Sequence, residues 1–291
     1  MKRCRQDKIV LAAIGVLAVI QLVLFLVPLI WVVLQSINSY YNYLINPFKF
    51  PTRFVWKNYP VALKNMNINV YTEGRLINYN VWNMTFYSFI IAGTRTLMTA
   101  LVNITLAYVV AMYSNWKICR LISAINIMVL ILPIYGSTPA GLVLHQKLGT
   151  YDNLTYLLVG YTGMHFGQIL YGGAYRGMPR AYKEAAYIDG AGHFTIMFRI
   201  YIPLILPLVF AQATMTFLGF WNDHVVNVVW LPSYPNLAYG SFIYQSNAAA
   251  LGASIPELLA GMVILAIPSI IIWILAQKRV SEKMAVGGLK G

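Results

Sequence analysis

Residues 9–31 form an almost unbroken apolar run in which Gln21 is the single strongly polar side chain. A helix of about 20 apolar residues is long enough to cross the hydrocarbon core of a bilayer. The run follows a basic head, as in a secretory signal peptide, but the apolar region of such a peptide has only about 7–15 residues and leads to a small-residue cleavage site. This run is longer and continues through residues 34–40 without an Ala-x-Ala sequence. We therefore predict an uncleaved first transmembrane helix.

The composition of the whole chain agrees with this prediction. Hydrophobic residues make up 59% of the 291 positions and charged residues 10%, whereas soluble domains have about 45–50% and about 25%. These values exclude a soluble enzyme, a disordered chain and a disulfide-rich scaffold. The apolar runs are long and continuous rather than alternating, which disfavours a β-barrel. The fold class that remains is an all-α integral membrane protein.

Six segments have the length and apolarity of membrane spans, the third and fourth being interrupted by Pro133, Pro139 and several glycines. Residues 35–83 form a long connection between the first two spans. A connection of this length is uncommon unless it is ordered or contacts a partner, and a capped surface loop is the open alternative. The expected spans are residues 9–31, 86–113, 121–144, 154–175, 200–220 and 258–276.

The distribution of basic residues predicts the orientation of the chain. The net charge of +13 could indicate nucleic-acid binding, but cytoplasmic loops of membrane proteins carry an excess of Lys and Arg. With six spans and both termini in the cytoplasm, fourteen of the 21 basic residues fall on the cytoplasmic side and six outside. The one remaining, Arg95, falls inside the second span. We therefore expect cytoplasmic termini, an outer loop at residues 35–83 and no nucleic-acid partner.

The cytoplasmic connection at residues 176–203 has the pattern of a short helix followed by a cap. Pro179 suits the first turn of a helix, residues 180–189 contain good helix formers, and Gly190 is placed to end the helix in a left-handed conformation. Small alanine side chains allow close contact with a protein groove, and Glu184 supplies a charge. The pattern fits a helix that docks on a partner protein, or an amphipathic helix that rests on lipid headgroups.

A resemblance favours the first interpretation. Glu184-Ala185-Ala186 is followed at fixed gaps by Gly190, Ile200 and Ile202-Pro203, and this spacing resembles the EAA loop of ABC importer permeases, with Ile202 in place of Leu. Further residues resemble the MalG-like branch that serves carbohydrate uptake. These are the run from Ala185 to Ala191, the Trp-Asn-Asp sequence at 221–223 and the glycine-rich tail at 287–291.

The resemblance implies a type I permease fold, with residues 1–291 as a single transmembrane domain. It implies that Glu184, Ala185, Ala186 and Gly190 couple this chain to a cytoplasmic ATPase dimer. The other implied partners are a second, MalF-like permease, an external solute-binding protein and the carbohydrate, in a bacterial or archaeal cell membrane. The chain contains no Gly-x-x-x-x-Gly-Lys-Ser/Thr phosphate loop, so ATP and Mg²⁺ would be bound by the ATPase. This chain would be neither an enzyme nor the holder of a cofactor or metal.

Arg95 is the candidate substrate-binding residue, because a charge inside a span usually faces a cavity or a partner. Contact with an acidic sugar, pairing within a heterodimer and a position near the interface all remain open. His145 and His165 have no metal-ligand spacing, and Asp223-His224 lacks a nucleophile, so we expect structural roles for these residues. Two other functions remain open for the chain, that of a permease for a non-sugar solute and that of an ATP-independent secondary transporter.

Overall fold

The structure is a computed structural model that describes residues 5–72, 74–132, 136–159, 166–179 and 181–287, with side chains between 10 and 277. Pro133, His165, residue 180 of the predicted helix and residues 288–291 of the glycine-rich tail lie outside the described residues.

The described residues form helices and one two-stranded sheet. Before the sheet lie α1 (Arg5–Ser36), α2 (Tyr40–Ile45) and α3 (Asn58–Asn65), and the sheet consists of β1 (Ile68–Thr72) and β2 (Arg75–Tyr79). The helices between the sheet and residue 176 are α4 (Val81–Met112), α5 (Lys117–Ile131), α6 (Ser137–Lys147), α7 (Tyr156–Val159) and α8 (Phe166–Arg176). The helices that follow are α9 (Ala181–Ile188), α10 (His193–Ile196), a π-helical turn (Met197–Tyr201), α11 (Ile202–Trp221), α12 (Val225–Val229), α13 (Leu237–Ser246), α14 (Ala248–Leu251) and α15 (Ile255–Gly287).

Four helical segments of the described chain are long and apolar enough to cross a membrane. They are Val10–Ser36, Val81–Met112, His193–Trp221 and Ile255–Gln277, and they coincide with the first, second, fifth and sixth expected spans. Within the expected third span, α5 ends at Ile131 and α6 begins at Ser137, and each is shorter than the ~20 residues that a single crossing needs. In the expected fourth span, α7 and α8 lie on either side of residues 160–165, which are outside the described residues. The helical architecture is therefore observed, while the count of six spans stays a prediction.

One compact unit comprises residues 1–67 and 241–266, and within it the chain after α1 is held by buried polar groups. The Asn58 side chain donates hydrogen bonds to the carbonyl oxygens of Ser36 (2.8 Å) and Asn38 (2.9 Å). The hydroxyls of Ser36 and Tyr59 are 2.8 Å apart, and the Trp31 indole donates to the Pro47 carbonyl at 2.7 Å. The first part of the connection expected as an outer loop, as far as Tyr59, is thus folded back on the end of α1.

The sheet is a departure from the all-α expectation, and it lies in the second unit, residues 68–240 and 267–291. β1 and β2 are antiparallel, with Ile68 opposite Tyr79, and Gly74 has the positive φ of +78° that the tight connection requires. The Tyr79 hydroxyl donates to the Ser233 carbonyl at 3.1 Å. Burial, together with the nearby Tyr87 and Tyr234, raises the pKa of Tyr79. This donor therefore stays protonated at neutral pH.

α4 is the central helix of the second unit, where it packs against α8 and α11. Three tyrosines, one from α4, one from α8 and one from the π-helical turn, form the centre of this packing. The rings of Tyr108 and Tyr175 meet edge to face with centroids 5.7 Å apart, and those of Tyr108 and Tyr201 with centroids 5.5 Å apart. These rings and the surrounding apolar side chains fix how α8 and α11 lie on α4.

Replacing Asn58 with Ala should lower the free energy of unfolding by about 2 kcal/mol, because two buried carbonyl oxygens lose their donor. Asn42→Ala is the matched control, since its side chain donates a single exposed hydrogen bond to Thr52, and it should cost less than about 0.5 kcal/mol. Thermal unfolding of the purified chain in detergent measures both effects. Equal losses in the two variants would contradict the role assigned to Asn58.

Candidate functional site

The connection at residues 176–203 forms the helix and the cap that its sequence predicts. α9 ends two residues before Gly190, whose φ is +75°. The Gly190 amide donates to the Tyr187 carbonyl at 3.0 Å, and the Ala191 amide donates to the Ala186 carbonyl at 2.9 Å. This pair of hydrogen bonds is the Schellman arrangement, which satisfies carbonyls that a helix end leaves unpaired. The cap therefore fixes the direction in which the chain leaves α9.

The residues of the Glu-Ala-Ala sequence face different surroundings. Ala186 is buried in the same apolar cluster as Tyr108 and Tyr201, so it holds α9 against this chain's own core. Glu184 and Ala185 are exposed, and Glu184 has no ion-pair partner among the described residues. Ile188, one turn further along, has 86% of its surface exposed. This side of α9 is thus available to another protein.

His193 connects α9 to the end of α4. Its Nδ1 atom lies 2.9 Å from the Tyr113 hydroxyl and 3.0 Å from the Tyr187 hydroxyl. An unprotonated Nδ1 accepts hydrogen bonds from such hydroxyls. A cavity of about 600 Å³ lies beside this contact, and its wall includes Arg176, Lys183 and Glu184. α9 and the end of α4 are therefore joined by a polar contact as well as by apolar packing.

The π-helical turn joins this region to α11. Met197 and Tyr201 of the turn are buried in the tyrosine cluster, and Pro203 is the second residue of α11. From α10 through α11 the chain is helical without interruption. The segment after the cap therefore leads directly into a long apolar helix.

Arg95 is buried in α4 and paired within its own chain. Its Nη1 atom lies 2.8 Å from Oδ2 of Asp223, and its side chain is 3% exposed against 27% for that of Asp223. The guanidinium carbon lies 4.1 Å from the centre of the Phe220 ring, a cation–π distance. The other carboxylate oxygen of Asp223 accepts from the amides of Val225 (3.0 Å) and Val226 (3.3 Å). Contact of Arg95 with substrate stays a prediction, and its observed partner is Asp223.

A cavity of about 470 Å³ lies among α4, α5, α8 and α11. Its apolar wall includes Leu130, Phe166 and Phe220, as expected between membrane helices. Its polar wall consists of Thr96, Thr99 and Asn103 from α4, Gln212 and Thr216 from α11, and Asp223. The uncharged residues of this polar wall were not predicted from the sequence as candidate site residues. Their spacing could have indicated them, because polar residues three, four and seven apart lie on one face of a helix.

His145, another polar candidate, is packed against aromatic rings and hydrogen-bonded within the chain. The Nδ1 atom of His145 lies 2.8 Å from the Thr150 hydroxyl, and its ring meets those of Tyr156 and Trp230 edge to face. Among the described side chains, no three metal-ligating residues come together. His145 is thus a packed, hydrogen-bonded residue of the second unit.

Comparison with known families gives one match over most of the chain. The profile of the family described as "Binding-protein-dependent transport system inner membrane component" matches residues 103–286. The matched region begins within α4 and includes α9, its cap, the π-helical turn and Asp223.

Two curated relatives and one solved structure are similar over nearly the full length. A probable starch degradation products transport system permease protein, AmyC, from Thermoanaerobacterium thermosulfurigenes is 25% identical, with 100% of both chains covered. The diacetylchitobiose uptake system permease protein NgcG from Streptomyces coelicolor is 26% identical over 91% of this chain and 84% of the relative. A chain of a bacterial ABC transporter that imports the acidic polysaccharide alginate matches with a TM-score of 0.71 at 20% identity, covering 96% of this chain and 99% of that one. The last similarity shows the fold.

Replacing Gly190 with Ala should destabilise the end of α9 by about 1 kcal/mol, because an L-residue with a side chain is strained at positive φ. Gly192→Ala is the matched control, since the φ of Gly192 is −73° and a Cβ there would meet no atom within 4 Å. Hydrogen exchange of the amides of residues 185–191 measures the effect. Equal exchange rates in the two variants would show that the cap does not depend on the glycine.

Replacing Asp223 with Asn should destabilise the chain by about 3 kcal/mol, because it leaves the buried Arg95 guanidinium without a counter-charge. The double variant Arg95→Met with Asp223→Asn should be more stable than that single variant, since no buried charge then remains. Thermal unfolding of the two single variants and the double variant completes the cycle. Additive effects would argue against an energetically important ion pair.

Proposed function

The chain belongs to the family of inner membrane components of binding-protein-dependent transport systems, and we propose that it is a permease subunit of an ATP-driven importer for a carbohydrate of oligosaccharide size. In this role the chain forms part of the path through the membrane and catalyses no reaction itself. The observation that carries the proposal is the capped helix α9, with exposed Glu184 beside the link to α4. It lies within the region that the family profile matches.

The sugar part of the proposal rests on relatives that align along the whole chain. Their names refer to starch degradation products and diacetylchitobiose, both derived from polysaccharides. The Trp-Asn-Asp sequence at 221–223 resembles the carbohydrate branch in a part of the chain where Asp223 has a defined structural contact. An oligosaccharide is therefore preferred over an amino acid, a peptide or an ion.

The proposed assembly contains two permease chains, two ATPase subunits and an external solute-binding protein. This chain would pair with a MalF-like permease, and residues 1–291 would form one transmembrane domain with six spans and cytoplasmic termini. α5 and α6 would supply the third span, with an interruption after α5, and α7 and α8 would supply the fourth. Backbone that interrupts a helix at membrane depth is tolerated where it packs on protein or lines a cavity. A second permease chain would provide such packing.

Coupling to the ATPase would occur through α9. Glu184 and Ala185 would contact the ATPase directly, whereas Ala186 would keep α9 seated on this chain and Gly190 would fix its end. ATP and Mg²⁺ would be bound by the ATPase, and closure of the ATPase dimer would move α9. The cluster of Tyr108, Tyr175 and Tyr201 and the His193 contacts would carry that movement to α4 and α11.

Gentle solubilisation of the tagged chain from its native membrane tests the assembly. We expect a second permease with an EAA loop and an ATPase with a phosphate loop to co-purify, with two ATPase subunits for each copy of this chain and of the second permease. Reconstituted with a binding protein, the complex should accumulate an oligosaccharide only when ATP is supplied. Recovery of the chain alone in cross-linked preparations, or accumulation without ATP, would contradict the proposal and favour a secondary transporter.

Replacing Glu184 with Arg should reduce uptake by at least about tenfold while leaving membrane insertion intact, because a charge reversed at a protein contact costs binding energy. Lys117→Glu is the control, an equally large charge reversal at an exposed residue outside α9, and it should leave uptake within about twofold. Sugar uptake and co-purification of the ATPase are measured together in cells that depend on this chain. Normal uptake by the Glu184 variant would remove this residue from the coupling contact.

A further inference from the structure

We propose that the cavity of about 470 Å³ among α4, α5, α8 and α11 is a sugar-binding site of this subunit. We propose further that it accepts neutral sugar units in preference to acidic ones. The inference rests on the proposed function and adds a site and a substrate charge to it. The cavity, at about 470 Å³, is within the range of about 300–1,000 Å³ found for small-molecule sites. Its wall combines apolar surface with convergent polar groups, as such sites do.

The polar groups of α4 that line the cavity are not satisfied within the described chain. The hydroxyl oxygens of Thr96 and Thr99 and the side-chain oxygen of Asn103 are buried and have no hydrogen-bond partner among the described residues. The Asn103 nitrogen donates to the Thr99 carbonyl at 2.8 Å, so the amide is held with its oxygen unpaired. A buried polar atom without a partner costs about 1–3 kcal/mol. These oxygens have almost no accessible surface, so sugar hydroxyls would hydrogen-bond them once the Thr and Asn side chains turn toward the cavity, and this would offset that cost.

Aromatic surface completes the lining. Phe166 and Tyr171 of α8 and Phe220 of α11 lie in the cavity wall, and aromatic rings present apolar faces of a size suited to the apolar face of a sugar ring. The combination of aromatic rings, hydroxyls and amides fits a hydroxyl-rich, uncharged ligand better than an apolar one. A purely apolar ligand would leave the polar atoms of Thr99 and Asn103 unpaired.

The ion pair determines the charge that the cavity presents. Asp223 belongs to the lining, and its side chain is nine times as exposed as that of Arg95, 27% against 3%. The guanidinium is 2.8 Å from the carboxylate and 4.1 Å from the centre of the Phe220 ring, and none of the described lining residues is Lys, Arg or His. A ligand in the cavity therefore meets a carboxylate, which accepts hydrogen bonds from neutral hydroxyls and repels a uronate. Arg95 is then a positioning residue that holds the carboxylate.

Binding to the permease itself tests the proposal, with the binding protein left out because it has its own selectivity. The complete permease–ATPase complex is placed in lipid nanodiscs, and saturation-transfer NMR is recorded with maltotriose and with trigalacturonic acid, a neutral and an acidic trisaccharide. We expect the neutral sugar to bind at least about tenfold more tightly. Equal or tighter binding of the uronate would overturn the charge selectivity.

Two isosteric substitutions on α4 test the location of the site. Thr99→Val removes an unpaired hydroxyl from the cavity wall, and we expect maltotriose binding to weaken roughly three- to tenfold. Thr105→Val is the matched control, because the exposed Thr105 hydroxyl is bonded to its own helix at the Leu101 carbonyl. The same binding constant in both variants would overturn the site. Loss of the second permease from the Thr99 variant would also overturn it, since the polar wall would then be a contact between subunits.

The variant Asp223→Asn tests the charge of the cavity wall, because it removes the negative charge that faces the Arg95 guanidinium. We expect uronate binding to strengthen at least about threefold relative to maltotriose. If this variant does not assemble, the double variant Arg95→Gln with Asp223→Asn removes both charges. It should weaken maltotriose binding about threefold or more, because the accepting carboxylate is lost. An unchanged ratio in the single variant, or unchanged maltotriose binding in the double variant, would overturn the role of the ion pair.

Failure of this inference is distinguishable from failure of the proposed function. A complex that couples ATP hydrolysis to uptake of a neutral oligosaccharide, but binds it equally well with Thr99→Val and Thr105→Val, retains the proposed function and excludes this site. A complex that accumulates no oligosaccharide refutes both.

Discussion

A guanidinium buried among apolar helices requires a counter-charge, and the position of Asp223 follows from that requirement. Asp223 meets Arg95 from the end of α11 and also caps the start of α12 through the amides of Val225 and Val226. The Asp223 carboxylate thus joins α4, α11 and α12. The backbone carbonyl of Asp223 accepts a further hydrogen bond from the Asn236 side chain at 2.9 Å. Because Arg95 lies fourteen residues after Val81, roughly 21 Å of α4 extends beyond this contact. That part of α4 packs on the segment that follows α11, where Ser88 accepts from the Leu237 amide.

The sequence was sufficient for the features that depend on local chemistry. Apolar runs predicted the four long helices, and the helix formers before Gly190 predicted α9 with its left-handed cap. The sheet was not predicted, because β1 and β2 are short and are stabilised by distant partners such as Ser233. The start of α4 at Val81 rather than at residue 86 has a similar cause. Hydropathy indicates where a helix is apolar, whereas its first turn is set by the Asn80 cap, whose side chain accepts from the Asn83 amide at 3.0 Å.

The candidate sites show the same division. Glu184, Ala185, Ala186 and Gly190 were identified from the resemblance of this segment to the EAA loop, but the sequence could not show that Ala186 faces inward while Glu184 is exposed. Arg95 was identified as a charge inside a span, and its need for a partner was recognised. The partner was not, because 128 residues separate Arg95 from Asp223 and their expected depths in the membrane differed. Pairing at that separation depends on how α4 lies against α11, which no local pattern encodes.

The π-helical turn between α10 and α11 has a geometric consequence for the position of His193. A π-helical turn contains one more residue than an α-helical turn, and each residue of an α-helix advances the side-chain direction by about 100°. Relative to a regular helix, the residues before the turn are therefore rotated about the helix axis by about 100° with respect to those of α11. His193 is on the earlier side and contacts Tyr113 and Tyr187. The extra residue thus sets the phase at which the imidazole meets the end of α4, and a regular helix through residues 193–221 would direct it elsewhere.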